Sequence, residues 1–183
     1  MGLALHNYAS THGSLPPAAV TDKNGNALLS WRVLVLPYIE QDSLYREFHL
    51  DEPWDSPHNI QLLGRMPTTY EPFRNKEKFQ PGMTFYQGFA GNGTPLSEKA
   101  AFDQFPNGTN NTILLVEAGE PVPWTKPADV PFDPHSPPPE IGGLSTNDVR
   151  VLMADGTVET WTKPVDSTRL RLAITLVSPK SGK

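Results

Sequence analysis

An α+β fold is predicted, with an N-terminal helix, antiparallel β-strands, additional short helices and long Pro-rich loops. Three observations predict it. Apolar residues recur at helical spacing in the first dozen positions. Alternating and aromatic-rich runs dominate the middle and the end of the chain, one pair of them flanking Asp155-Gly156. Twenty prolines among 183 residues crowd the intervals, and Pro is excluded from helix interiors and central strands. The order, helices first and strands later, separates the two kinds of element instead of alternating them. The length fits one domain over 1–183.

The elements follow in chain order. Met1, Leu5 and Tyr8 stand at i, i+4 and i+7 with Ala4 and Ala9 beside them, one stripe of a helix. Gly13 is a left-handed stop, and Pro16-Pro17 forbids continuation. No capping residue precedes the stripe, so 1–13 reads as the second half of a helix. Asp22 to Asn26 reads as a turn. Ser30 to Glu40 is strongly apolar, a pattern common to a strand and a buried helix; the reading taken is a helix capped by Ser30, with Pro37 producing a kink or a break. Asp42-Ser43 starts a further short helix through Leu44, Tyr45 and Phe48. Ser56 as cap and Pro57 in the first helical position open another, with Ile60, Leu63 and Met66 along one face up to Pro67.

Strands come next. Met83 to Ala90 is aromatic-rich. Thr112 to Ala118 is nearly all apolar and predicts a central strand. Pro121 to Pro139 is too rich in proline for a regular element. Val149 to Trp161 holds two alternating runs about Asp155-Gly156, a two-residue hairpin turn. Pairing Ala154 with Thr157 places Val149, Val151, Met153 and Val158 on one face, expected to be buried. It sets Arg150 opposite Trp161, where guanidinium can stack on indole. A last helix starts near Asp166, capped by Asp166 or Ser167, with Leu170, Ile174 and Val177 as its stripe and Ala173 beside it.

Composition excludes several functions. The net charge is −5, the wrong sign for nucleic acid. There are no cysteines, hence no disulfides, thiolate nucleophiles or Cys-based metal sites. No apolar run reaches the ~18 residues of a membrane span. No signal peptide, nucleophile elbow, phosphate-binding loop or dinucleotide fingerprint occurs. Sequons at Asn92, Asn107 and Asn110 mark polar loops.

Six stretches in order, GLALHNYASTHGSLPPA, SWRVLVLPYIEQDSLY, LDEPWDSPHNIQLL, NGTNNTILLVEAG, VPWTKPADVPFDP and VLMADGTVETW, together resemble a bacterial family. Its members carry a prepilin-type cleavage and methylation segment, followed by a domain of unknown function with a His, nine residues and Asp-Gly. The resemblance runs from Gly2 to about Ile174. It implies a type IV pilin-like or pseudopilin-like subunit, in which a long helix spans the membrane with its first half and packs on a β-sheet head with its second. Residues 1–13 match that second half. The cleavage motif is absent, which implies either an expression start at Met1 that removed the membrane segment or a naturally soluble relative. The implied partners are other pilin-like subunits or secretion and assembly machinery. The implied location is the cell envelope or exterior, anchored in the inner membrane before assembly. The pattern departs from the family at Ser145, where the family has its His, at Asn107, where Asp-Gly is usual, and at Tyr70 to Phe73, where relatives often carry Cys-Pro.

Candidate chemistry is sparse. His6, His12, His49, His58 and His135 show no metal-ligand spacing and read as polar surface or caps. Asp51, Glu52 and Asp55 around Trp54 are weak calcium candidates, since hard cations take carboxylate oxygens; Asp129 and Asp133 rank lower. No cofactor is expected otherwise. Trp54, Trp124 and Trp161 could line a groove for a small solute or glycan, although such residues more often pin loops to a core. Glu117 and Asp155 are the acids expected near the sheet, and a hydrolase on them is the least favoured reading. The expected function is therefore structural and not enzymatic: a pilin-like head whose opening helix makes the filament contacts. The alternative is an envelope binding module.

Overall fold

The computed structural model describes residues 1–176, so Val177 lies outside the described residues. It is an α+β fold. Helix α1 spans Gly2–His12 and ends as the sequence predicts: Gly13 adopts φ 78° and its N–H donates to Ala9 O at 2.8 Å. A small antiparallel pair, β1 (Ala19–Thr21) and β2 (Ala27–Ser30), follows. Its turn is held by Asp22 Oδ1, which accepts the N–H groups of Asn24 and Asn26, each at 2.8 Å. Helix α2 (Trp31–Leu34) is capped by Ser30, and a 3₁₀ turn over Leu36–Ile39 with Pro37 in its first turn replaces the expected continuation. Helix α3 is Asp42–Tyr45.

Beyond it, the expected helix after Ser56 forms as a 3₁₀ stretch, Asn59–Arg65. Its buried residues are Asn59 and Leu62, while Ile60 is exposed and Leu63 and Met66 are half-buried. Three residues per turn bring Asn59 and Leu62 onto one line, and the Asn59 amide is drawn inward to donate to His49 O, Glu52 O and Pro53 O.

The main sheet has four antiparallel strands in the order β3 (Met83–Gln87), β5 (Ile113–Pro123), β7 (Asp148–Met153) and β8 (Val158–Thr162). The expected central strand is β5, and it extends through Pro121 to Pro123 against β3. A parallel pair, β4 (Phe89–Ala90) with β6 (Val130–Pro131), draws part of the Pro-rich segment into regular structure. Helix α4 (Ser167–Ile174) is capped by Asp166, which accepts the Arg169 N–H at 2.7 Å.

The sheet is covered on both faces. One cluster joins Ala4 and Leu5 of α1 to Leu114 and Leu115 of β5, with Leu29, Trp31, Leu36, Tyr70 and Trp124. The other joins Val116, Val149, Val151 and Met153 to Leu170, Ala173 and Ile174 of α4, with Phe89, Phe132 and Trp161.

The hairpin departs from its predicted register by one residue. Val149 faces Trp161 and Leu152 faces Val158, because the tip holds three residues, Ala154 to Gly156, with Gly156 at φ 90°. The Ala154 N–H that would close a two-residue turn donates instead to Thr112 O of the neighbouring chain segment at 2.7 Å. A one-residue slip turns every side chain of β8 over. Val158 is therefore 65% exposed, and Trp161 is buried. The Arg150 guanidinium stacks on Phe73, 4.3 Å from the ring centre, and Trp161 receives Arg169 at 3.9 Å.

One buried ion pair knits the halves together. Arg32 and Asp129 meet at 2.9 Å with 0% and 2% of their side chains exposed. Asp129, a low-ranked calcium candidate from sequence, is thus a core acceptor; its Oδ1 also takes the Trp31 indole N–H and the Gly88 N–H.

Two stability changes follow. Leu5→Ala, at a fully buried site, should cost about 2–5 kcal/mol, while Leu3→Ala, 75% exposed, should stay within about 0.5 kcal/mol. Equal urea midpoints for the two variants would mean that α1 is not part of the fold. Asp129→Ala leaves Arg32 buried without its counter-ion and should cost about 3–5 kcal/mol in the same assay; a loss below about 1 kcal/mol would contradict the pair's role.

Candidate functional site

Three places in this fold gather the polar and charged side chains singled out above: the α1 seam, the buried acid near its first residues, and a cleft beside α4.

Helix α1 docks on the sheet by its small residues. A Cβ on Gly2 would come within 3.0 Å of Leu152 Cδ1, so α1 and β7 meet closely there. His6 Nε2 lies 2.9 Å from Ala154 O at the hairpin tip, and its ring stacks on Phe102 at 4.2 Å. Ala4, Leu5 and Ala9 are buried, whereas Leu3 faces outward. At the other end His12 stacks on Tyr8 at 4.0 Å. The histidines of α1 are thus a bolt and a cap.

At the open end of this seam sits Glu117, with 0% of its side chain exposed. It stands opposite Tyr86 on β3. Its Oε2 accepts Arg74 Nη2 at 2.7 Å and the Arg150 N–H at 3.2 Å. Arg74 Nη1 lies 2.5 Å from Asp148 Oδ1, an ionic contact without hydrogen-bond geometry. The Arg74 guanidinium beside it holds the Asp148 carboxyl below its usual range. Burial pushes the Tyr86 phenol up. Asp155 is elsewhere. It caps its own turn, with Oδ1 accepting from Thr157 N–H at 2.9 Å and Thr157 Oγ1 at 2.7 Å. Glu117 thus sits beside Arg150 of β7, and Asp155 sits at the hairpin tip beyond the end of β7.

The third place is a cleft of about 380 Å³ lined by Asn107, Asn110, Asn111, Glu159, Trp161, Arg169 and Leu172, among others. Glu159 Oε2 accepts the Trp161 indole N–H at 2.6 Å and Arg169 Nη2 at 3.1 Å. Asn107 Nδ2 donates to Leu172 O at 3.2 Å.

The tryptophans singled out from sequence do not share a groove. Trp124 is fully buried in the α1-side core, stacked on Tyr70, and donates to Leu63 O. Trp161 belongs to the opposite core. Trp54 is half-buried beside Lys126. Among Asp51, Glu52 and Asp55, Glu52 is engaged by His49 Nδ1 at 2.9 Å, and its carboxyl is held low by bonds from Ser56 and then His49. Among the described residues, no three His, Cys, Asp or Glu side chains converge as metal ligands. His49 and His58, nine apart in sequence, stack at 3.6 Å. His135 is exposed, and its N–H donates to Asp133. Ser145, at the position of the resembled family's His, accepts the Asn147 N–H and, through its carbonyl, Lys163 Nζ.

Residues 1–74 match the model of a family described as a protein of unknown function (DUF1559). That stretch holds α1, the β1–β2 pair and Arg32, and it stops before the main sheet begins. No curated protein and no solved structure matches the chain. Among the described residues, no helix is long and apolar enough to cross a membrane.

The tip carries a pH signature. The Thr157 side chain and N–H hold the Asp155 carboxyl below its usual value. A depressed folded-state pKa contributes stability that is complete above the unfolded value, near 3.9, and is lost as pH falls through the lower folded value. Asp155→Asn should therefore flatten the fall of the urea midpoint on acidification below about pH 4. An acid limb as steep as the parent's would rule this out.

Proposed function

We propose that the chain is the globular head of a structural subunit, pilin-like or pseudopilin-like, that works by assembly and not by catalysis. The supporting observation is the seating of α1. One stripe of it is buried on an antiparallel sheet, and the opposite side presents Leu3 outward. A head of this kind needs that arrangement: the helix is held rigidly by its own sheet and keeps an apolar residue for a neighbour. The partners are then other pilin-like subunits or a secretion or assembly apparatus, at the cell envelope or outside it, with an inner-membrane anchor in the precursor. No cofactor enters this reading.

A second reading, a binding module for a small solute or glycan, is favoured by the asparagine-lined cleft beside α4. It ranks behind the first because Arg169 already occupies a face of Trp161 and the other tryptophans lie elsewhere.

Photo-crosslinking tests the assembly reading. A benzophenone side chain at position 3, in cells of the source bacterium, should yield adducts at multiples of the chain's mass, or with another prepilin-processed protein. The same group at Lys23, on the exposed β1–β2 turn, should not. Uncrosslinked monomer alone from position 3 would defeat the proposal.

A further inference from the structure

The two edges of the main sheet differ. At the β3 edge, Tyr86 O is taken by Arg32 and the Tyr86 N–H by Thr84 Oγ1. At the other edge, no strand lies beyond β8. The Met153 N–H donates to Thr157 O and the Lys163 N–H to Asn147 O, each at 2.8 Å. The odd-numbered residues of β8 therefore turn their peptide groups towards β7, and those of Val158, Thr160 and Thr162 point away from it. All three residues are exposed.

Edge strands are commonly kept from pairing by bulges, prolines or lysines. Val158–Thr162 has none of these. Its pairing with β7 runs without a register shift, whereas β3 with β5 and β5 with β7 each contain one. Valine, threonine and tryptophan favour strands. The single charge, Glu159, is met by Arg169 of its own chain at 3.1 Å.

This edge is also complementary to itself. A two-fold axis at Thr160 sets the β8 of a second copy antiparallel to the first. Val158 then faces Thr162 of the second copy, Thr160 faces its own equivalent, and every outward N–H and C=O of the three residues finds a partner. On the α4 face of the joined sheet, Glu159 falls opposite the second copy's Trp161, whose indole carries the Arg169 guanidinium 3.9 Å from its ring centre. Each acid thus approaches the other copy's arginine, and like charges are kept apart. On the opposite face, Thr160 meets Thr160, a favourable cross-strand pair, and Val158, 65% exposed, gains cover.

We infer that β8 is a pairing edge for a second copy of this chain, joined antiparallel about Thr160 into one continuous sheet. Five residues a side make a small contact, of the class that associates weakly, so the pair forms at high concentration or where copies are already held side by side. The surface is separate from the outward face of α1. Crosslinking from position 3 can fail while the purified chain pairs through β8, and the reverse.

The chain has no cysteine, so a single introduced thiol reports the geometry. In the purified full chain under mild oxidation, Thr160→Cys should give a disulfide-linked dimer, because directly paired residues of this kind lie about 5.5 Å apart at Cα, within disulfide reach. Thr162→Cys, also at an exposed position, should stay monomeric, since its two thiols lie on either side of the axis, beyond the ~7 Å limit. Mixed with Val158→Cys, it should crosslink. Thr160→Lys places like charges across the axis and should abolish the parent's concentration-dependent dimer in sedimentation, with the melting midpoint unchanged. Equal linking of Thr160→Cys and Thr162→Cys, no linking of Thr160→Cys, no linking in the mixture, or a dimer that survives Thr160→Lys would each overturn the inference. Strand addition by a different protein leaves Thr160→Cys monomeric in the purified chain, and so counts against the second copy.

Discussion

The Arg32–Asp129 pair is the constraint on which the rest of the architecture depends. Arg32 uses its whole guanidinium: Nε and Nη2 donate to Tyr86 O at 3.0 and 2.8 Å, Nη1 to Ser30 Oγ at 2.6 Å, and Nη2 also to Asp129. Its own carbonyl accepts the Tyr70 hydroxyl at 2.8 Å. Burying a charge is tolerated only when the geometry is good and every remaining donor finds an acceptor. Here the acceptors come from three stretches of chain at once, the β2–α2 junction, the end of β3 and the Pro-rich segment, while the Tyr70 turn satisfies the Arg32 carbonyl. Removing the Asp129 carboxylate leaves the buried guanidinium without its counter-charge. The pair therefore favours one arrangement of these stretches over loosely packed alternatives and places the Pro-rich segment, which has little regular structure of its own.

Local rules were legible in the sequence where the chain answers only to itself. Gly13 ends α1, Ser30 and Asp166 cap their helices, Asp22 closes its turn, and the apolar run after Thr112 is the central strand. The rules failed where a distant partner decides. The Asp155-Gly156 turn was locatable, but nothing in Val149 to Trp161 indicates that the Ala154 N–H belongs to Thr112, and that single bond lengthens the tip and turns β8 over. The 3₁₀ form of Asn59–Arg65 has a similar origin, since the Asn59 amide ties three carbonyls of the preceding loop.

The candidate sites were legible in a more limited way. Glu117 was visible as an acid ending an apolar strand. Its partner Arg74 lies 43 residues earlier, in a stretch with no helical or strand periodicity, and could not have been paired with it from pattern. Trp124 and Trp161 could be read from sequence either as lining a groove or as pinning loops to a core, and the fold buries both indoles. Arg32 passed unnoticed inside SWRVLVLP, although a lone charge in so apolar a run is itself a signal that an acid must come to meet it. The match to the family of unknown function covers the segment that contains Arg32 and omits Asp129.

The three-residue hairpin tip does more than reverse the chain. Ala154 gives its N–H to Thr112 and its carbonyl to His6, while the Asp155 N–H reaches Thr109 O at 3.1 Å. The tip is therefore a hub with spokes to the first helix, to the start of the central strand and to the asparagine-bearing loop beside it. Helix α1 and the cleft next to α4 lie on opposite sides of the sheet, yet both are referenced to the same few peptide groups. The positions of both are fixed by polar bonds that run around the edge of the hydrophobic interior and not through it.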